Sequence, residues 1–82
     1  MTHFACSNDK DHPMNKSQMG KFHEFIKDKQ NELSICNSGA IVNFPHLHYN
    51  YVRPGLIIYG VSPVDGISAK ELGIKPVMTL KT

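Results

Sequence analysis

Two polar turns in this sequence carry residue types that bind anions. In the first turn, Asn37, Ser38 and Gly39 follow an apolar segment, residues 33–36, and precede a second short apolar segment. If a short helix begins here, its free backbone N–H groups and the positive end of its dipole favour a phosphate, and the serine hydroxyl adds a donor. An ordinary helix cap is the alternative interpretation of Asn37 or Ser38, because both residue types are common caps.

The second turn holds the only arginine of the chain, Arg53, which is followed by Pro54 and Gly55. Gly55 would let a ligand approach the backbone closely, and its N–H could serve the same phosphate as the first turn. A rigidly held arginine is permanently charged and suits an anion or a ring nitrogen. An ion pair at the strand end is the alternative for Arg53.

Histidines and cysteines are the remaining candidates for chemistry. His3 lies centrally in an apolar segment, residues 1–6, where a satisfied core histidine is the alternative to a residue that faces a pocket. Five residues could form a metal site by type: Cys6, His12, Cys36, His46 and His48. Their spacings match no zinc module, so no metal is expected. The two cysteines are interpreted as small buried hydrophobic residues.

Length and composition exclude several classes of protein. A chain of 82 residues with 40% apolar residues forms at most one small domain, and such a domain buries only about 60% of its unfolded surface. A net charge of +2, from eight lysines and one arginine against seven acidic residues, is too mild for a nucleic-acid partner. We expect no membrane span, since no apolar run approaches about 18 residues. The N-terminus lacks the features of a signal peptide, so a cytoplasmic protein is expected.

The predicted elements alternate between strands and helices. We expect a strand in residues 1–6, a helix from an Asn15 cap to Gln30 with four apolar residues on its buried face (Met19, Phe22, Phe25 and Ile26), and strands at 33–36, 51–53 and 76–81. A short helix is expected at 40–44, a linker at 63–73, and residues 56–59 are ambiguous. This α/β order predicts a parallel sheet. One full helix cannot cover both faces of such a sheet, so the pattern indicates part of a larger domain.

Four segments of the sequence resemble consecutive motifs of the alanine racemase family. They are MTHFA at 1–5, NSGA at 37–40, YVRPGLIIYGVSP at 51–63 and LGIKPVMTLK at 72–81. The resemblance implies the C-terminal portion of a (β/α)8 TIM-type barrel that continues into a C-terminal β domain. Residues 1–66 would be the last three βα units of the barrel, and residues 67–82 the connection and the first strand of the β domain.

The resemblance also implies a cofactor, pyridoxal 5′-phosphate, and a role for each matching residue. The cofactor-binding residues would be Asn37, Ser38, Arg53, Gly55 and Leu56, of which Arg53 would hydrogen-bond the pyridine nitrogen. His3 and Arg53 would be the catalytic residues, with His3 next to a tyrosine of the partner subunit. Ser34 stands where some members of the family have a histidine that supports the arginine.

The implied activity is the interconversion of L-alanine and D-alanine by two bases in a cytoplasmic homodimer, which supplies D-alanine for peptidoglycan. The family's Schiff-base lysine and catalytic tyrosine belong to regions outside this sequence, so the chain alone is expected to be inactive. A truncated, non-enzymatic product that is unstable or only binds phosphorylated ligands is the alternative. Another barrel enzyme that uses the same cofactor, such as a basic amino acid decarboxylase, is disfavoured because those enzymes place an acidic residue where this chain has Arg53.

Overall fold

The computed structural model describes residues 1–81 and contains two helices, two strands and two 3-10 helices. In chain order these are α1 (Pro13–Ile26), β1 (Ser34–Cys36), α2 (Ser38–Asn43), a first 3-10 helix (Pro45–Leu47), β2 (Tyr51–Val52) and a second 3-10 helix (Leu56–Tyr59). The alternation of strand and helix predicted from the sequence is therefore present from residue 34 to residue 52.

Helix α1 begins two residues before its predicted cap. His12 is the N-cap, and its Nδ1 accepts a hydrogen bond from the Met14 N–H at 3.1 Å. Pro13 occupies the first helical position, where a missing N–H costs nothing. The prediction of Asn15 as the cap is wrong: Asn15 lies in the first turn, is buried, and donates from Nδ2 to the Asp9 carbonyl at 2.8 Å.

The other end of α1 also differs from the prediction, because the helix ends at Ile26 and not at Gln30. Phe22 is buried in the core, whereas Phe25 is 68% exposed. The placement of Phe25 on the buried face is therefore wrong. Its ring lies instead beneath the ammonium group of Lys29, which is 4.7 Å from the ring centroid.

The two strands form a parallel pair, as the sequence predicted. Ser34 is opposite Tyr51 and Cys36 is opposite Val52, with an irregularity between the two positions. The Arg53 N–H then donates to the Cys36 carbonyl at 2.9 Å, just beyond β2. Because the strands run in the same direction, the two polar turns leave them at the same edge of the sheet.

The first and last segments of the described chain are not strands, in contrast to the predictions. In residues 1–6, the Thr2 N–H donates to the Ser34 carbonyl at 3.3 Å. The Thr2 carbonyl accepts from the Arg53 side chain and not from a neighbouring strand. Residues 76–81 form no strand, because nothing within residues 1–81 pairs with them. Thr82, the last residue of the segment 67–82 that was predicted to lead into a β domain, lies outside the described residues.

The hydrophobic core lies between α1, the sheet and α2. It is formed by Phe4, Phe22, Ile35, Cys36, Ala40 and Leu47. The chain is nevertheless extended: its radius of gyration is 14.3 Å and its longest dimension 51 Å, whereas a compact domain of this length has a radius of gyration of about 12 Å. Within residues 1–81, no helix has the length and apolar character needed to cross a membrane.

The segment that follows the second 3-10 helix is attached to the rest of the structure at two points. The Asp65 N–H donates to the Asn8 carbonyl at 3.0 Å, and the Asn8 side chain donates to the Asp65 carboxylate at 2.9 Å. Gly60 has a φ of +79°, and a Cβ there would lie 2.4 Å from the nitrogen of Pro76. The predicted linker, residues 63–73, is therefore a loop that is bonded at Asp65, and the chain beyond it passes close to Gly60 at Pro76.

Candidate functional site

All six residues predicted for the site line one cavity of about 300 Å³ at the carboxyl edge of the sheet. They are His3, Asn37, Ser38, Arg53, Gly55 and Leu56. No aspartate or glutamate lines this cavity within residues 1–81, so its only formal charge is that of the arginine. A larger cavity of about 490 Å³ lies beside α1 and contains none of these residues.

Ser38 joins the two polar turns to each other. Its side chain is buried, and its Oγ accepts hydrogen bonds from the Gly55 N–H at 2.8 Å and from the Ile57 N–H at 3.2 Å. Both N–H groups belong to the second turn, whereas Ser38 is the first residue of α2. The hydroxyl proton of Ser38 remains available, because both of these contacts use Ser38 as an acceptor.

The cap of α2 is Asn37, so the capping alternative is correct for this residue. Its Oδ1 accepts from the Ala40 N–H at 3.1 Å. The same oxygen accepts from the Ser7 hydroxyl at 2.6 Å. The cap is thus also the point where the first loop of the chain contacts α2.

Two backbone donors were predicted in the second turn, Gly55 and Leu56, and the structure gives them different surroundings. The Gly55 N–H already donates to Ser38, as described above. Leu56 is the first residue of the second 3-10 helix, and an N–H at that position has no acceptor within its own helix. The Leu56 N–H is therefore the donor of this turn that can bind an anion directly. The Gly55 N–H instead positions the Ser38 hydroxyl, to which it donates.

Arg53 is held by neutral oxygens and not by a carboxylate. Its Nη1 donates to Ser34 Oγ, and its Nη2 donates to the Thr2 carbonyl at 2.6 Å. Within residues 1–81 the one ion pair joins Lys27 to Glu24, so the ion-pair alternative for Arg53 is wrong. Since neither partner neutralises it, the guanidinium retains its full charge at the cavity.

His3 is exposed at the cavity and not part of the core, so the core alternative is wrong for this residue. Its Nε2 lies 3.2 Å from Asn37 Nδ2. Its Nδ1 lies 3.5 Å from Arg53 Nη2. The structure thus brings together the two residues predicted to be catalytic, His3 and Arg53, from positions 50 residues apart.

Ser7 and Asn8 also line the cavity, and the sequence did not predict them. Ser7 is buried against α2 so closely that a Cβ on Gly39 would lie 2.8 Å from its Oγ and 2.9 Å from its carbonyl carbon. Asn43 reinforces this contact by donating to the Ser7 carbonyl at 2.8 Å. Contacts between residues more than 30 positions apart leave no local pattern in the sequence.

The cysteines and histidines do not form a metal site in the part of the chain that the structure describes. Cys36 is completely buried, as predicted, and its thiol donates to the Leu47 carbonyl at 3.2 Å. Burial raises the pKa of the Cys36 thiol above its ordinary value, and the positive charge of Arg53 opposes part of that rise. Cys6 is only partly buried.

Comparison with known proteins identifies the family. The profile described as "Alanine racemase, N-terminal domain" matches residues 1–63. The alanine racemase of Stutzerimonas stutzeri is 38% identical over 80 residues, which cover 98% of this chain and 22% of the relative. That of Legionella pneumophila strain Lens is 42% identical over 78 residues, which cover 95% of this chain and 22% of the relative. The chain thus spans about a fifth of the length of the curated relatives it matches.

Solved structures give the same result. The alanine racemase of Acinetobacter baumannii superposes with a TM-score of 0.86 at 38% identity, over 94% of this chain and 22% of that one. The alanine racemase of Bartonella henselae, solved with covalently bound pyridoxal phosphate, gives a TM-score of 0.68 at 32% identity, over 74% of this chain and 18% of that one. The described structure is accordingly an α/β piece of the alanine racemase fold. On the profile match over most of its length, this chain belongs to the alanine racemase family.

Proposed function

We propose that this chain is part of an alanine racemase that uses pyridoxal 5′-phosphate to interconvert L-alanine and D-alanine. The observation that carries the proposal is the convergence of His3, Ser38, Arg53 and Leu56 on one cavity. The family membership of the chain and the bound pyridoxal phosphate of the Bartonella relative support the same cofactor. The activity is proposed for the protein that contains this chain, since the chain covers about a fifth of its relatives.

The donors of the cavity fit a phosphorylated pyridine. The Ser38 hydroxyl and the Leu56 N–H would hold the phosphate, with Asn37 and Gly55 orienting them, and Arg53 would donate to the ring nitrogen. The cavity has no carboxylate within the described chain to repel an anion. Its volume of about 300 Å³ is at the lower end of the usual range for small-molecule sites.

Arg53 decides which reaction the site favours. When bound, the cofactor supplies an electron sink that stabilises negative charge at the α-carbon of the substrate. Arg53 cannot accept a proton, so it leaves the ring nitrogen unprotonated and keeps that sink weak. A weak sink favours return of a proton to the α-carbon, and hence racemisation over transamination. Ser34 and the Thr2 carbonyl hold the guanidinium in place for this role.

We further propose that residues 1–66 are the last three βα units of a (β/α)8 barrel, and that residues 67–82 lead into a C-terminal β domain. The parallel pair β1–β2 and the extended shape of the chain support this placement. Phosphate sites in such barrels lie after the seventh and eighth strands, and the two polar turns follow β1 and β2. The homodimer, the cytoplasmic location and the supply of D-alanine for peptidoglycan belong to the same proposal.

The test is a racemisation assay on the purified full-length protein. With L-alanine as substrate, we expect D-alanine to form, detected by a D-amino-acid oxidase coupled assay, and the reverse reaction to proceed from D-alanine. Residues 1–82 alone are expected to be inactive, because two-base racemisation needs an acid and a base on opposite faces of the α-carbon. Absence of D-alanine from a folded, cofactor-loaded protein would contradict the proposed function.

A further inference from the structure

The larger cavity beside α1 is a separate space from the candidate site. Its volume is about 490 Å³, and it shares no lining residue with the cavity around Arg53. All of its walls come from residues 4–47, with contributions from α1 and from the first 3-10 helix. The volume falls within the usual range for sites of small organic molecules. The cavity thus offers a second place where this chain can hold a ligand.

One buried polar atom at this cavity has no hydrogen-bond partner. Asn15 lines the cavity and is only 4% exposed, and its Nδ2 donates to the Asp9 carbonyl at 2.8 Å. That carbonyl can only accept, which identifies the atom beside it as the nitrogen of the amide. The other atom, Oδ1, is buried and finds no donor within residues 1–81. Because a buried acceptor is costly to leave unpaired, a ligand that brings a hydrogen-bond donor is favoured here.

Much of the remaining wall is apolar and aromatic. Phe4 and Leu47 are buried, and Met19 and Phe44 are partly buried. The ring centroids of Phe4 and Phe44 are 5.6 Å apart, and those of Phe44 and His46 are 6.3 Å apart with the rings nearly perpendicular. Both spacings lie in the range at which aromatic rings attract each other. The three rings form a row against which an aromatic ring of a ligand can pack in the same way.

The charged side chains at the cavity favour an anion. Two lysines and one aspartate line it within the described chain, Lys10, Lys16 and Asp11, so its formal charge is +1. All three are exposed, and neither lysine forms an ion pair within residues 1–81. The flexible stems of the two lysines allow their ammonium groups to reach a carboxylate at the mouth of the cavity.

We propose that this cavity is a binding site for a small aromatic carboxylic acid that carries a hydroxyl group. The hydroxyl donates to Asn15 Oδ1, and the ring packs against the row that contains Phe44. The carboxylate is held by Lys10 and Lys16. The site is distinct from the proposed cofactor site, so its existence does not depend on the racemase activity.

The test compares 4-hydroxybenzoate, which has all three features, with benzoate, which lacks the hydroxyl. Both are titrated into the full-length protein labelled with ¹³C at its methionine methyl groups. Among the methionines of residues 1–81, only Met19 lines the cavity, whereas Met14 lies on the same helix outside it. The variants Met19→Leu and Met14→Leu assign the two signals. A probe that binds at the Arg53 cavity leaves the Met19 signal unmoved.

We expect both probes to shift the Met19 signal and to leave the Met14 signal in place. The dissociation constant of 4-hydroxybenzoate should be about tenfold lower than that of benzoate, which is the effect of one hydrogen bond to a buried acceptor. Asn15→Leu removes the acceptor at similar side-chain volume, and the two probes should then bind equally.

A second pair of variants tests the charge without altering the buried residues. Lys16→Gln should raise the dissociation constants of both probes about threefold, as expected for one exposed ionic contact. Lys21→Gln is the matched control, because Lys21 is an exposed lysine of the same helix that does not line the cavity. Its dissociation constants should equal those of the wild type.

The outcomes are decided by the wild-type protein first. A Met19 signal that does not move at any concentration up to the solubility of the probes overturns the inference, and so do equal dissociation constants for the two probes. Coverage of the cavity by parts of the protein outside residues 1–82 would give the first of these results. A preference for 4-hydroxybenzoate that persists in Asn15→Leu also overturns it. A preference that Asn15→Leu abolishes supports it, even in a protein that produces no D-alanine.

Discussion

Removing the Ser38 hydroxyl tests how the two turns of the cavity are coupled. In Ser38→Ala, the Gly55 and Ile57 N–H groups lose the acceptor that lies 2.8 Å and 3.2 Å away. A hydrogen bond of this kind contributes about 1 kcal/mol net. Two of them hold the second turn against α2 with about 2 kcal/mol, which corresponds to a factor of about 30 in an equilibrium constant.

The assay is hydrogen–deuterium exchange of the full-length protein without added cofactor. We expect the Gly55 and Ile57 amides to exchange about 30-fold faster in Ser38→Ala than in the wild type. Ser38→Thr keeps the hydroxyl and should exchange as the wild type does. Ser62→Ala is a second control, because within residues 1–81 that hydroxyl bonds only to the backbone of Val64 and does not line the cavity.

The affinity for the cofactor should also be lower in Ser38→Ala than in the wild type and in Ser38→Thr. If pyridoxal phosphate binds the ordered turn, Ser38→Ala raises its dissociation constant by at least the factor found from exchange, because the Ser38 donor to the phosphate is lost as well. Unchanged exchange at Gly55 and Ile57 in Ser38→Ala would refute the coupling of the turns. Faster exchange with unchanged cofactor affinity would leave the coupling intact and refute the assignment of the phosphate to this site.

Three further predictions concern the arginine, the tight contact at α2 and the buried thiol. Arg53→Lys removes the planar guanidinium that donates to both Ser34 Oγ and the Thr2 carbonyl. We expect at least a tenfold lower kcat for racemisation in the oxidase-coupled assay. An unchanged kcat would contradict the role of Arg53 at the ring nitrogen. Gly39→Ala places a Cβ 2.8 Å from its nearest neighbour and should cost about 1–3 kcal/mol in denaturant unfolding, whereas Gly20→Ala, in an open helical position, should stabilise by about 1 kcal/mol. Burial raises the pKa of the Cys36 thiol, so its thiolate forms only at higher pH. In an alkylation experiment read by mass spectrometry, we expect Cys6 to be labelled first and Cys36 to be labelled slowly even above pH 9.0. Equal labelling of the two cysteines would contradict the burial of Cys36.

Local chemistry explains why the sequence could place the two polar turns near each other. Ser38 and Arg53 each follow an apolar segment and precede a candidate helix, and the parallel arrangement then requires both turns to share one edge of the sheet. The length of chain between the two turns allows a helix to connect two parallel strands, which is why the sequence predicts that both turns lie at the same edge. Their hydrogen-bond partners were not predictable, because the Gly55 N–H had equivalent candidate acceptors in a phosphate and in Ser38.

The errors came from features that depend on distant residues. Asn15 and Pro13 are both residue types that are common at the start of a helix. The helix begins at Pro13, and the Asn15 side chain bonds to the Asp9 carbonyl and does not cap the helix. Residues 76–81 have the composition of a strand, but a strand exists only with a partner, and none lies within residues 1–81. Ser7 was missed for the same reason, since its partner Asn37 is 30 positions away.

The close approach of Gly60 to Pro76 has a consequence for protein engineering. Residue 76 packs against Gly60 and Asp65 bonds to Asn8, so both ends of residues 66–75 lie against other parts of the structure. A Cβ on Gly66 would meet no atom within 4 Å, and doubling a flexible loop costs only about 0.6 kcal/mol. Gly66 is therefore a suitable point for inserting a peptide tag or a small reporter domain, and unchanged amide exchange at Gly60, whose N–H donates to the Ile57 carbonyl, would verify that the turn packed against Pro76 is kept.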